Sequence, residues 1–253
     1  MPDYDFRSPR LFVEEALSAG GTVPLSAAQA HYLQNVLRLR VGAELLLFNG
    51  RDGEWLARLS AQSRKSSAVE VLQQTRAQTA SADLQYLFAP IKHARLDYMV
   101  QKAVEMGASK LQPVITRHAQ VSRLNTERMR ANAIEAAEQC GVLSLAEVAE
   151  PAPIARIIEA LEPERLLIFC DERADVQDPL AALARAGPSD PPPRLAVLIG
   201  PEGGFAPEER EMLLRHPRVV RIALGPRILR ADTAAVAALA VVQAVLGDWQ
   251  PTA

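Results

Sequence analysis

The chain reads as an α/β protein built on a parallel sheet, preceded by a small module of short strands. Three observations predict this. Apolar runs such as "LLIFC" and "LAVLI" alternate with helical patterns after about residue 83, the rhythm of a parallel sheet with crossover helices. Before residue 75 several short strands surround one helix, which suggests a compact β-barrel-like module. Between the two lies "TRAQTASAD", small and polar over residues 75–83, the composition of a linker. The expected domains are therefore residues 1–75 and 76–253.

In the first part, "TVPLSAAQAHYLQNVLRLRVG" offers Ser26 as a helix cap, with Ala30, Leu33, Val36 and Leu37 as an apolar stripe. "ELLLFNGRDGEWLARLS" reads as strand, turn, strand, with Asn49-Gly50 and Asp52-Gly53 in the bend, and "SAVEVLQQ" as a further strand. In the second part "LQYLFAP" is a strand. "HARLDYMVQKAVEMGA" is a helix with Leu96, Met99, Val100 and Val104 on one face and Gly107 as its stop. "KLQPVIT" is a strand, and "NTERMRANAIEAAEQCG" a helix capped by Asn125 or Thr126 and stopped at Gly141. "ERLLIFC", "RLAVLIG" and "RVVRIALG" are three more strands, with "PLAALARAG" and "PEEREMLLRH" as helices between them. "AGPSDPPPRL" is a Pro-rich loop. "TAAVAALAVVQAVL", residues 233–246, has no charge over almost four turns and is expected to be buried on all sides, either as a core helix or against a second copy.

Composition limits the function. The first ten residues hold no apolar signal core, which points to a cytoplasmic protein. Cys140 and Cys170 stand alone, with no metal-ligand spacing. The net charge is −2, yet it is unevenly spread: residues 81–130 hold 8 Lys/Arg against 4 Asp/Glu, and residues 131–193 hold 4 against 12. A basic, RNA-facing region is compatible with that average, as are ordinary solvated helix faces.

Two strand-to-helix turns carry the chemistry: "LIGPEGGF" and "LGPRILRADTAAVAAL". Ligands of open α/β sheets bind beyond the carboxyl ends of the strands. Neither turn has the Lys and Ser/Thr of a P-loop, and the dinucleotide pattern GxGxxG is absent. Glu202 would sit badly beside a pyrophosphate, so an adenosine-type ligand without phosphates fits better, with Gly203 and Gly204 leaving room for backbone to approach it.

These two turns resemble the paired signature of the RsmE-type ribosomal RNA uridine N3-methyltransferases of the SPOUT superfamily. "HYLQNVLRLRVGAELLLFNG" resembles that family's N-terminal PUA-like domain, and "KHARLDYMVQKAVEMGASKLQPVIT" and "EAAEQCG" its two central motifs. Three positions depart from the family pattern. Asp232 stands where glutamate is usual, Val142 where arginine often follows the "EQSG"-like motif, and His118 where serine follows arginine. The resemblance implies S-adenosylmethionine as methyl donor, 16S ribosomal RNA of the small subunit as substrate, a C-terminal trefoil knot and a homodimer. It carries Ile199, Gly200, Pro201, Gly203, Leu224, Gly225, Ile228 and Leu229 over as the cofactor pocket.

Methyl transfer to uracil N3 needs placement and stabilisation of the anion that forms as the proton leaves. Arg230, beside the second turn, is expected to face the developing charge. Asp232 either orients Arg230 or accepts the proton, and a plain helix-start salt bridge between the two is the alternative. The expected RNA contacts are Arg10, Arg38, Arg40, Lys92, Arg95 and Arg117, with helix C-terminal complementarity as the competing role of Arg38 and Arg40. The four histidines are expected to be structural or at the surface, with His118 within reach of RNA.

Overall fold

The computed structural model describes residues 7–62, 67–119, 123–174, 178–187 and 193–249. Most of the Pro-rich loop, residues 188–192, and most of the N-terminal decapeptide lie outside them. The chain divides into two compact units. The first comprises Met1–Ala80 with Ile134–Leu145, and the second Ser81–Ala133 with Ala146–Ala253.

In the first unit, β1 (Arg10–Phe12), β2 (Thr22–Pro24), β3 (Glu44–Phe48), β4 (Glu54–Gln62) and β5 (Ser67–Arg76) form a sheet in the order β1-β3-β4-β5-β2. Only β1 and β3 run parallel; the other neighbours are antiparallel. Three register shifts between β4 and β5 curl the sheet, because each extra residue adds local twist. Its core is aliphatic, with Val13, Leu33, Leu45, Leu47, Leu59 and Val69 all buried. The bend between β3 and β4 uses Gly50 and Gly53 at φ of 83° and 80°, a left-handed conformation that side chains resist. Asn49 Oδ1 accepts the backbone N–H groups of Arg51 and Asp52 inside that bend.

Ser26 does cap the first helix, α1 (Ala27–His31), in a reciprocal box with Gln29. The helix continues as a π-turn over Tyr32–Val36, so the expected stripe is broken: Leu33 is buried and Val36 is 59% exposed. Arg38 follows in the left-handed region at φ 57° and ends the run.

The second unit is a parallel sheet. β6 (Leu84–Phe88), α2 (His93–Glu105), β7 (Lys110–Ile115), α3 (Thr126–Cys140), β8 (Glu147–Val148), β9 (Ala152–Pro153) and α4 (Ile154–Ala160) come first in the chain. β10 (Leu166–Cys170), α5 (Pro179–Ala186), β11 (Leu195–Ile199), α6 (Pro207–Leu214), β12 (Val219–Ile222) and α7 (Ala231–Leu246) follow. The strand order is β12-β10-β11-β6-β7-β8, with β9 beside β7. All pairings are parallel, and strands buried on both faces read as the continuous apolar runs of the sequence. Asn125 is the cap of α3, its Oδ1 accepting the Arg128 N–H. α3 gives its first half to this unit and its second half to the first unit.

α7 is not buried on all sides. Ala235, Ala238, Leu239 and Val242 are enclosed, whereas Thr233 and Ala244 are exposed and Val236 and Val241 half-buried. Gln243 is fully buried within it because its Nε2 donates to the Met106 carbonyl at the end of α2, at 2.7 Å. No helix among the described residues is long and apolar enough to cross a membrane.

Candidate active site

The site lies at the carboxyl ends of three neighbouring strands, β12, β10 and β11. Register aligns their last residues, with Cys170 opposite both Ile199 and Ile222. These three residues and the loops that follow them line a cavity of about 290 Å³. The lower limit for small-ligand sites is of that order.

The first wall is the glycine loop after β11. Gly200, Pro201 and Glu202 line the cavity. Gly200 has no room for a side chain: a Cβ there would lie 2.5 Å from the Phe205 ring. Gly204 turns the chain at φ 69°. The second wall runs from Ala223 to Leu229, after β12, with Gly225 at φ 92° and open space where its side chain would be. Ala231 and Ala234, in the first turn of α7, complete it. The third comes from Asp171 and Glu172 after β10.

Ion pairs brace the loops after β10 and β11. The Asp171 carboxylate accepts Arg210 at 2.9 Å and Arg221 at 3.0 Å while taking the Arg173 N–H. Burial alone would raise the Asp171 carboxyl, but these donors outweigh it and hold the group below the usual range. Arg95, on α2, pairs with Glu202 at 2.7 Å, and Asp232 acts on the same guanidinium through space. Glu209 uses both oxygens: one accepts the Ala206 N–H at 2.9 Å at the start of α6, the other the Arg117 N–H at 2.8 Å in the loop after β7. In the cavity wall the Cys170 thiol is pushed up to about 12 by burial. The Tyr86 hydroxyl, fully buried and without a hydrogen-bond partner among the described residues, is raised well above its ordinary value by burial, and then by Cys170 and Asp232.

The expected cofactor residues therefore meet: all but Gly203 line the cavity. Gly203 instead faces His118, whose Cβ lies 3.4 Å from where a Gly203 side chain would begin. Ile228 lines the cavity with its side chain wholly exposed. Arg230 is the exposed N-cap of α7 and, among the described residues, forms no ion pair with Asp232. Asp232 Oδ1 accepts the Thr233 N–H instead. Lys92, Arg38 and Arg40 are exposed, and Arg117 pairs with Glu208 at 3.2 Å.

Arg10 is a correction. It is buried, and its Nε donates to Glu54 at 2.9 Å, with Arg76 on the same carboxylate at 2.6 Å. A guanidinium committed in this way holds the first unit together and does not present itself to a phosphate. Sequence reading missed Asp171, Arg210, Arg221 and Glu209. Glu209 alone had a local signal, an acid three residues after a helix-opening position.

The family model described as "RNA methyltransferase domain" matches residues 78–243, and "RNA methyltransferase PUA domain" matches residues 25–72. The chain belongs to the RNA methyltransferase family. Among its relatives, "Ribosomal RNA small subunit methyltransferase E" of Rickettsia conorii is 30% identical over 236 residues, covering 92% of this chain and 94% of that protein. The protein of the same name from Synechocystis is 31% identical, over 94% of this chain and 78% of its own length. The crystal structure of the Neisseria gonorrhoeae protein of that name, bound to S-adenosyl methionine, superposes with a TM-score of 0.82 at 28% identity, covering 96% of this chain and 100% of that one. An RNA methyltransferase needs a methyl-donor site, and the chemistry of this cavity fits one. Its wall joins apolar side chains and bare glycine backbone to three acids, Asp171, Glu172 and Glu202, and one arginine, Arg227, and among the described residues it has none of the lysine and hydroxyl set of a P-loop.

Proposed function

We propose that this chain methylates N3 of a uridine in 16S ribosomal RNA of the small subunit, using S-adenosylmethionine. One observation carries the reading: the two glycine-bearing turns, 25 residues apart from Gly200 to Gly225, close on a single cavity at neighbouring strand ends. The donor supplies an electrophilic methyl on a sulfonium. Ile199, Leu224 and Leu229 would hold its adenosine, with the open backbone of Gly200 and Gly225 admitting it. Pro201 and Ile228 close the sides, and the missing side chain at Gly203 lets the loop approach His118.

Arg230, exposed beside that wall, is free to face the negative charge that develops on the uracil oxygens. Asp232 sets the field of the neighbouring Arg95. Arg38, Arg40 and Lys92, exposed and without acidic partners among the described residues, present cations to the RNA backbone, while Arg95 and Arg117 have acidic partners that a phosphate can replace. In this reading residues 1–75 form the RNA-binding PUA-like domain and residues 76–253 the catalytic domain, knotted through the two turns. The protein acts in the cytoplasm as a homodimer; the half-buried apolar residues of α7, with exposed Leu180 and Trp249, support a surface that a second copy covers.

The test is mass spectrometry of nucleosides from ribosomal RNA of a strain lacking the gene, before and after incubation of its small subunits with the purified protein and donor. N3-methyluridine is expected to be absent before and present after. Its presence before incubation, or its absence after, refutes the assignment.

A further inference from the structure

The reaction must dispose of the uracil N3 proton, and most acids around the cavity are already engaged. Asp171 is held by two arginines, Glu202 by Arg95, and Asp232 by the Thr233 N–H at the helix start. The Cys170 thiol, at about 12, stays protonated. Glu172 is a carboxylate, whose basicity is ordinarily far below that of an imidazole.

His118 differs. Its Nδ1 lies 3.1 Å from the Gly204 carbonyl oxygen. A carbonyl only accepts, so Nδ1 carries the hydrogen. In the neutral ring Nε2 then holds the lone pair, and it has no partner among the described residues. The loop that carries the ring is anchored as well. Glu209 ties the backbone of the preceding residue, Arg117, to the start of α6, and Arg117 pairs with Glu208. Gly203, next in sequence to Glu202 in the cavity wall, leaves the space beside His118 open, since a side chain there would begin 3.4 Å from the His118 Cβ. An imidazole with a fixed tautomer and an open lone pair, carried on the loop after β7 and bonded to the glycine loop two residues beyond Glu202 in the cavity wall, has the form of a general base.

Resting on the methyltransferase reading above, the geometry points to His118 Nε2 as the acceptor of the substrate's N3 proton. The N3–H bond breaks toward Nε2, and the nitrogen pair closes on the methyl carbon as the carbon–sulfur bond opens onto sulfur. The products are the methylated base, a neutral thioether and an imidazolium that returns its proton to water. Protonated His118 keeps its bond to Gly204 but has no pair to offer, so the rate carries an acid limb belonging to this ring. The charged groups around the ring are Glu208, Glu209 and Arg117, with Glu172 beside Gly204 and the Arg95–Glu202 pair along the loop.

The test compares the wild type with His118→Gln, which keeps an amide donor for the Gly204 carbonyl, and with His118→Ala. Both variants should bind S-adenosylmethionine within about twofold of wild type by calorimetry, lose about 100-fold or more in kcat, and lose the acid limb of the pH–rate profile. Nitrogen-15 NMR of the wild type should show His118 as the Nδ1–H tautomer. A His118→Gln enzyme within about threefold of wild type, an unchanged acid limb, or an Nε2–H tautomer overturns the assignment. If the wild type forms no N3-methyluridine, the parent reading fails and this one with it; if it does and His118→Gln matches it, the base alone is misassigned.

Discussion

Gly200→Ala isolates the packing that shapes the cofactor loop. The backbone at Gly200 is not in the left-handed region, so alanine is locally permitted there. The conflict is steric: the new methyl would fall 2.5, 2.9 and 3.1 Å from three carbons of the Phe205 ring. That ring packs edge-on against Phe169, with centroids 5.2 Å apart, and Phe169 is fully buried, so there is little space to retreat into. Overpacking of this kind costs about 1–3 kcal/mol. For a chain of this size that corresponds to a fall in Tm of about 2 to 12 °C. The decisive assay is a double-mutant cycle by chemical denaturation with Phe205→Leu, which removes the opposing ring. The clash predicts a coupling of about 1 kcal/mol or more, alanine being nearly harmless once the ring is gone. Gly225→Ala is the control. Its cost of about 1–2 kcal/mol comes from φ 92° alone and should be indifferent to Phe205. Equal costs for Gly200→Ala in both backgrounds would refute the steric argument.

Arg10→Ala should lower stability by about 3 kcal/mol by uncovering the buried Glu54 carboxylate, while the salt dependence of RNA binding keeps the wild-type slope; a slope smaller by about one would return Arg10 to the RNA surface. Asp171→Asn tests linkage. The folded carboxyl lies below its ordinary 3.8, so its contribution is complete above that value and is lost as pH falls through the folded pKa. The stability gap between wild type and variant should therefore be constant near neutrality and shrink below about pH 4; a gap unchanged at pH 2.5 would contradict it. Tyr86→Phe deletes a buried hydroxyl that has no partner among the described residues, and should leave stability unchanged or raise it by up to about 1 kcal/mol; a measured loss above that means the hydroxyl is bonded.

Local pattern accounts for what the sequence disclosed. The strands of the second unit are continuous apolar runs bounded by turn residues, so β10, β11 and β12 were legible. So were the caps at Ser26 and Asn125 and the stops at Gly107 and Gly141, each a residue type chosen by backbone geometry. The two cofactor turns were legible because glycine is expensive inside an apolar context unless something approaches it. What escaped was either short or non-local. β1, β2, β8 and β9 have two or three residues each, too few to show a period. The partner of Gln243, the Met106 carbonyl, lies 137 residues away in the chain, beyond the reach of any local pattern.

The site follows the same division. Apolar lining and glycines are local properties of a turn, and nearly all the expected lining residues converge. Charged roles are pairwise properties, and they moved. Arg10 reads like any surface arginine, and only the register that sets β1 beside β3, and β3 beside β4, puts Glu54 against it. Arg230 and Asp232 are two residues apart and suggest a pair, but two residues along a helix start face different ways, and Asp232 turns to its own helix while Arg230 stays open. The same logic makes His118 informative. In the sequence His118 stands only as a departure from the family pattern within reach of RNA, and it acquires a defined tautomer because β7 and β11 flank β6 and bring the Gly204 carbonyl to its Nδ1. In this chain the turns specify what can bind, and long-range pairing specifies which side chains are left free to react.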